Sequence, residues 1–217
     1  MQKNDNLLIK GVQSMKYASW PVIIALSFVF ASEVFADEWY VAPIKGGPSI
    51  RVDVSHRGLC ANVPILPRDF KIEVIAPEHV AYTLRAQPTL YWRVNKKVKG
   101  TIAITIEEMK RGSLPSKPLL EVLAVMEVKP GRHRFSLACL GVRLKRNVDY
   151  IWTVALVCDR EKRALDLGQS GGIRYVRKSK GVSYRDLKGL AQKGIWYDVF
   201  HRATDEQRNS LLKEVGL

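Results

Sequence analysis

The chain has 217 residues, 47% of them hydrophobic, which is enough for one domain with a sizeable core and a small appendage. Its formal net charge is +14, and the charged residues are spread along the chain rather than gathered in one tail. It contains no internal repeat and no low-complexity tract, which argues against a solenoid or a fibrous protein.

The N-terminal region has the residue order of a secretory signal peptide. Lysines precede a short apolar run at residues 20–31, and a Val-Phe-Ala triplet follows it. The run is too short to cross a bilayer comfortably as a permanent helix, although an uncleaved anchor is the alternative. We therefore predict that residues 1–36 are a signal peptide and that cleavage falls before Asp37. The segment that begins at Met15 is a more conventional signal peptide by itself, so we expect Met15 to be the true start.

Export would place the mature chain in the periplasm or outside the cell, with no transmembrane span after cleavage. In such an oxidising compartment, Cys60, Cys139 and Cys158 predict one disulfide and one remaining thiol. Three pairings are possible, and counting does not choose between them. The alternative is three buried thiols that behave as small hydrophobic side chains.

Export also changes what the positive charge implies. In a cytosolic protein nucleic acid would come first, but outside the cytoplasm we predict no nucleic-acid partner. The expected anionic partners there are lipopolysaccharide, phospholipid head groups, acidic glycans or an acidic protein. The densest basic cluster is the candidate anion-binding site: Arg174, Arg177, Lys178 and Lys180. A merely solvated basic surface is the alternative.

Residues 37–180 predict an antiparallel β-sandwich of the immunoglobulin-like type. Short runs of alternating or β-branched residues are separated by turn signals at a spacing of roughly ten residues. The run at 119–128 has helix-compatible leucines, but its β-branched residues and flanking prolines favour a strand. Residues 160–172 are predicted to be a charged, glycine-closed loop. Strands are expected at 50–54, 71–76, 89–94, 101–107, 119–128, 132–138, within 144–159, and at 173–177.

The stretch from Leu144 to Asp159 organises the predicted sandwich. Its alternate residues are apolar on both faces, which predicts a central strand covered on both sides. Tyr150 follows a polar turn, as in the tyrosine corner, where the hydroxyl hydrogen-bonds back to the preceding turn. Trp92 and Trp152 are predicted to be core partners.

Residues 181–217 predict two or three short helices packed on the sandwich. Ser183 with Asp186 and Thr204 with Gln207 resemble capping boxes, and apolar residues recur after them at helical spacing.

Three aromatic residues follow in this tail: Trp196, Tyr197 and Phe200. We expect them to make core or docking contacts, with Trp196 in a structural role. A membrane-surface role is the alternative, which the neighbouring Asp198 weakens.

Several stretches, in this order, resemble the family catalogued as domain of unknown function 928. They are Gln87–Trp92, Pro130-Gly131, Leu144 with Tyr150-x-Trp152, Cys158-Asp159, Arg174 with Val176-Arg177, Gly194–Asp198 and Leu211–Leu217. The resemblance implies a secreted or periplasmic domain without an established activity. It also implies that Cys60 pairs with Cys158, which leaves Cys139 as an extra thiol.

Catalytic chemistry has one candidate, the Gly-x-Ser-x-Gly pattern at 168–172. A serine hydrolase would use Ser170, with His201 and either Asp186 or Asp198 as partners, but its elbow needs a buried strand before it and a helix after it. The sequence context does not provide these, so a loop is predicted. No histidine stands at metal-ligand spacing to another potential ligand, and no phosphate-cradling glycine loop is present. We therefore predict that the protein binds no metal ion or cofactor and has no enzymatic activity.

The leading hypothesis is therefore a non-catalytic, exported β-sandwich that binds or scaffolds an envelope protein, glycan or lipid surface. Two alternatives remain. One is a serine hydrolase that uses Ser170. The other is a basic accessory or sensor domain for an anionic glycan, lipid head group or acidic protein.

Overall fold

A computed structural model describes residues 38–43, 53–54, 60, 63, 66–67, 69–109, 117–177 and 181–217. The predicted signal peptide, its cleavage site and the possible start at Met15 lie outside these residues. So do Lys178 and Lys180 of the predicted anion site.

Nine strands of the described residues form two sheets. The larger sheet has the strand order β1-β9-β8-β5-β6, and the smaller has the order β2-β4-β7. The strands are β1 (Asp53–Val54), β2 (Ile72–Val74), β3 (Ala81–Thr83), β4 (Thr89–Val94), β5 (Val98–Glu108), β6 (Leu120–Val128), β7 (Gly131–Ser136), β8 (Asp149–Leu156) and β9 (Leu167–Tyr175). The helices are α1 (Leu187–Ala191), α2 (Trp196–Arg202) and α3 (Asp205–Glu214), and a short 3-10 turn lies at Arg163–Leu165.

The structure confirms a mostly β fold followed by three short C-terminal helices. The immunoglobulin-like arrangement of the strands stays a prediction. One pair departs from the antiparallel pattern, because β3 runs parallel to β9, with Ala81 opposite Ile173. β3 therefore joins the larger sheet beside the C-terminal half of β9. β1 pairs with the N-terminal half of β9, at Gly168 and Gln169.

The predicted central strand is β8, which lies between β5 and β9. Its alternate residues Tyr150, Trp152, Val154 and Leu156 are buried in the core, as the apolar alternation predicts. The Tyr150 hydroxyl accepts a hydrogen bond from Lys145 N at 3.1 Å, which is the contact that a tyrosine corner makes with its preceding turn.

The rings of the two core tryptophans, Trp92 and Trp152, contact aromatic side chains of β7. Trp92 lies 4.8 Å from the ring of His133, and Trp152 lies edge-on to Phe135 at 5.9 Å between ring centroids. Since β7 belongs to the smaller sheet and β8 to the larger, the contact of Trp152 with Phe135 joins the two sheets. Trp92 and Trp152 are buried in the same core, and β7 supplies an aromatic partner to each.

The glycine-rich segment at 168–172 is strand, not the predicted loop. It forms most of β9 and pairs with β8 along its whole length. A side chain at Gly168 would meet Val154 O at 2.3 Å, and one at Gly171 would lie 2.9 Å from Ala76 Cβ. Glycine is present because neighbouring backbone and side chains approach closely here, and this tertiary requirement overrides the local preference for a loop.

The C-terminal helices are built into the core. Thr204 and Gln207 form the predicted capping box of α3, whereas α1 begins one turn later than predicted, with Asp186 alone as its N-cap. Trp196, Tyr197 and Phe200 are buried within α2. The membrane-surface alternative for these rings is therefore wrong, because they are covered by protein.

A disulfide joins Cys60 to Cys158, 98 residues apart, and Cys139 is a free, exposed thiol. This is the pairing that the family resemblance implies. A loop of this length stabilises a fold by about 4–5 kcal/mol in the chain-entropy account.

Candidate binding surfaces

The free edge of β6 exposes an apolar surface. β6 pairs with β5, and no described strand pairs with its other side. The exposed fractions are 53% for Leu123, 71% for Val125 and 42% for Met126, and Leu119 just before the strand is 41% exposed. These are four of the five exposed large hydrophobic residues among those described. Exposed apolar edges of this kind pair readily with another strand.

An apolar cleft of about 240 Å³ lies beneath this edge, between the two sheets. Met126 from β6 and Phe135 from β7 line the cleft from its two sides, and the buried Trp92 lines it as well. β6 and β7 are each the last strand of their sheets, so the sandwich is open along this side. The remaining described lining residues are Ile102, Ile104, Val122, Ala124, Glu127, Val128, His133 and Arg134.

The turn between β6 and β7 leaves one exposed cation beside the cleft. On β6, Glu127 pairs with Lys97 at 2.9 Å. Glu121 lies on the outer face of the larger sheet, away from the cleft, 3.5 Å from Arg163. Arg134 of β7 is exposed, but it stands opposite Tyr91 in the pairing with β4 and so shares the face of the smaller sheet that contacts α2. Lys129, in the turn between β6 and β7, is exposed as well.

Ser170 lies in the middle of β9, on the outer face of the larger sheet. Its hydroxyl is hydrogen-bonded to Thr153 Oγ1 at 2.7 Å, so the serine is part of a strand and not of a strand-to-helix elbow. The outer face carries a shallow depression of about 330 Å³ between Thr105, Thr153 and Asp166. Asp166 is buried there and accepts from Cys158 N at 3.0 Å, which fixes the β8–β9 connection.

The proposed triad partners of Ser170 are engaged elsewhere. His201 Nδ1 is hydrogen-bonded to the Tyr91 hydroxyl at 2.8 Å, and Asp186 caps α1. Burial, with nearby arginines, lowers the pKa of His201 below its usual value. Within the part of the chain that the structure describes, no group of three His, Cys, Asp or Glu residues could hold a metal ion.

Asp198 is a buried carboxylate that ties α2 to β3. It accepts from Thr83 Oγ1 and Leu84 N, each at 2.8 Å, and from the Tyr184 hydroxyl at 3.1 Å. Arg85 lies 3.4 Å away and balances its charge. These contacts join α2 to β3 and to the segment before α1, so the carboxylate has a structural role.

The structure places Arg174 and Arg177 of the predicted anion site in different surroundings. Arg174 is committed to a two-pronged ion pair with Asp149 and lies over the ring of Tyr82, 5.8 Å from its centroid. These hydrogen bonds to Asp149 raise the pKa of Arg174. Arg177 is exposed and lines a cavity of about 160 Å³. Lys193, which is distant in sequence, lines the same cavity, and no basic cluster in the sequence pointed to it.

The fold and these surfaces define a class: a β-rich, two-sheet protein with an apolar free edge and a C-terminal helical segment built into its core. The family described as Domain of Unknown Function (DUF928) matches residues 63–216, and the chain belongs to this family. No protein of the curated collection matches the chain. None of the helices in the described part is long and apolar enough to cross a membrane.

Proposed function

We propose that this protein is a non-catalytic, exported β-sandwich that holds an envelope protein by pairing with an extended segment of it along the free edge of β6. The observation that carries the proposal is the exposed apolar strand Leu120–Val128 above an open cleft between the sheets.

An added strand would pair with the free edge of β6 and would contact apolar side chains on both faces of the sheet. The unpaired side of an edge strand offers a row of backbone donors and acceptors, which an extended segment can satisfy along its length. On the outer face, Leu123 and Val125 would contact one set of its alternate side chains. The other set would enter the cleft beside Met126 and Phe135. The expected segment is therefore apolar on both faces.

Charge complementarity adds a second preference. The exposed Lys129 follows Val128 of the cleft lining, where a partner with an acidic residue beside its apolar segment gains attraction and orientation. The net positive charge of the chain acts in the same direction at longer range.

The disulfide between Cys60 and Cys158 supports the exported location in this proposal. Structural disulfides persist in the periplasm and outside the cell, and they are rare in the cytoplasm of mesophiles.

Site-specific photo-crosslinking tests the proposal in cells. A photoreactive amino acid at Val125 is expected to capture one envelope protein, with the adduct mapped to an extended apolar segment. The same group at Gln192, which is exposed on the helical side, is the matched control and is expected not to capture it.

Leu123→Lys is expected to abolish the adduct formed from Val125, because a charge on an edge strand opposes pairing. Gln192→Lys adds the same charge elsewhere and should leave the adduct unchanged. An adduct made only with a second copy of this chain, or one that survives Leu123→Lys, would contradict the proposal.

A further inference from the structure

We propose that the cavity lined by Tyr82, Arg177 and Lys193 binds an anionic amphiphile with a short apolar tail, of the type of a medium-chain fatty-acid carboxylate. The site is built from other residues than the β6 edge, so the inference does not rest on the function proposed above.

Long-range contacts assemble the cavity. β3 lies parallel to β9, and Tyr82 N donates to Gly194 O at 2.9 Å, which brings the end of α1 against the two strands. The cavity between them has a volume of about 160 Å³. Apart from Tyr82, its described walls are aliphatic, and they are formed by Leu84, Val176, Val182, Leu190 and Ile195.

Two cations complete the lining, Arg177 and Lys193. Both are exposed, and neither forms a salt bridge with another described residue. Arg174 lies two residues before Val176. It forms an ion pair with Asp149 and is therefore not available to a ligand. A guanidinium and an ammonium beside an aliphatic cavity suit a carboxylate that carries an alkyl tail.

The size of the cavity limits the tail. Pockets that enclose a drug-sized ligand have volumes of about 300–1,000 Å³. A cavity of about 160 Å³ therefore encloses only a short apolar segment. A glycan fits less well, because Tyr82 is the one aromatic residue among the described lining residues, and apart from Tyr82 and the two cations these residues offer no hydrogen-bonding side chain.

Calorimetric titration of the purified chain with decanoate tests the inference, and decanol serves as the uncharged ligand of equal length. Saturable binding of decanoate is expected, and decanol is expected to bind at least about tenfold more weakly because it lacks the charge. Val182→Phe fills the cavity without changing the charge and is expected to abolish binding.

Two charge variants and one control complete the experiment. Arg177→Gln and Lys193→Gln should each weaken decanoate binding about tenfold. Arg185→Gln removes the same charge from an exposed position outside the lining and should leave binding unchanged within about twofold. Each variant is first compared with the wild type by its melting temperature, and Arg177→Gln, on the surface, keeps the test valid if Val182→Phe does not fold.

Absence of saturable decanoate binding to the wild type would overturn the inference. So would binding that persists in a folded Val182→Phe variant, or an equal loss in Arg185→Gln and Arg177→Gln, since the latter would indicate attraction to the general positive field.

Discussion

The indole of Trp152 in β8 donates a hydrogen bond to the hydroxyl of Tyr197 in α2 at 2.9 Å, and both residues are buried. The Tyr197 hydroxyl donates in turn to Gly172 O in β9 at 2.7 Å. Burial raises the pKa of Tyr197, so the hydroxyl keeps the proton that it donates. This chain of hydrogen bonds connects the C-terminal helices to the two central strands of the larger sheet, which makes α2 part of the core.

Removing the Tyr197 hydroxyl tests that connection. Tyr197→Phe leaves the buried Trp152 Nε1 without its acceptor, and a buried unsatisfied group costs about 1–3 kcal/mol. We expect urea unfolding, followed by tryptophan fluorescence, to show a loss in that range. Tyr175→Phe removes a hydroxyl from a half-buried ring in β9 and should change the free energy of unfolding by less than about 0.5 kcal/mol. Equal effects of the two variants would show that the hydrogen bond does not connect α2 to the sheet.

The buried carboxylate of Asp198 should contribute more to the free energy of unfolding than an exposed carboxylate does. Asp198→Ala removes the acceptor of Thr83 Oγ1 and Leu84 N together, and we expect a loss of at least about 3 kcal/mol in the free energy of unfolding. Asp205 is the comparison, because its ion pair with Arg132 is exposed and screened by solvent, so that its removal should cost little. Chemical denaturation of Asp198→Ala and Asp205→Ala measures both. A loss for Asp198→Ala no larger than that for Asp205→Ala would contradict its role.

Two histidines should make the fold less stable in mild acid. Burial is the main cause that lowers the pKa of His79 and of His201, and the arginines around His201 lower it further. Each imidazole therefore binds a proton less readily in the folded state than in the unfolded state. As the pH falls below about 6.5, the unfolded state takes up more protons and the free energy of unfolding decreases.

Denaturation between pH 7.5 and 5.5 measures this effect. The double variant His79→Gln with His201→Gln replaces both imidazoles by amides that do not titrate, and its stability should change less with pH in that interval. Both variant and wild type keep the carboxylates whose folded pKa is lowered, Glu127 and Asp205, and these lose their contribution only in stronger acid. An identical pH dependence of variant and wild type would refute the assignment to these histidines.

The disulfide should carry a large share of the stability. Cys158→Ala is expected to lower the free energy of unfolding by about 4–5 kcal/mol, since the unfolded chain regains the freedom that the 98-residue separation restricts. Cys139→Ser should be nearly neutral, because that thiol is exposed and free. For both variants, the intact mass under non-reducing conditions shows whether a disulfide is present, and thermal unfolding measures the change in stability. Loss of the bridge in Cys139→Ser would contradict the pairing.

Much of the β framework follows from local pattern. The bounds of β4 match the prediction of residues 89–94, since alternation along one strand needs no knowledge of its neighbours. The position of β8 and the tyrosine-corner contact of Tyr150 follow equally from residues close in sequence. The family resemblance supplied the partner of Cys158, which spacing alone left open.

Features that depend on contacts between distant segments were missed. The glycines of β9 have the composition of a loop, and only their neighbours in space, such as Val154 O and Ala76, explain why a strand needs them. The run at 119–128 predicted a strand but not that one side of it would be free. Arg177 and Lys193 meet at one cavity through the pairing of β3 with β9, which neither of their local sequences contains.

Hydrogen exchange along β6 tests the central claim most directly. The purified chain is compared free and bound to the partner segment that photo-crosslinking identifies, with α3 as the internal reference. If the segment adds a strand to the edge, the amides of Leu120–Val128 exchange more slowly in the complex and those of Asp205–Glu214 do not change. A complex that forms with no added protection in β6 would contradict the account.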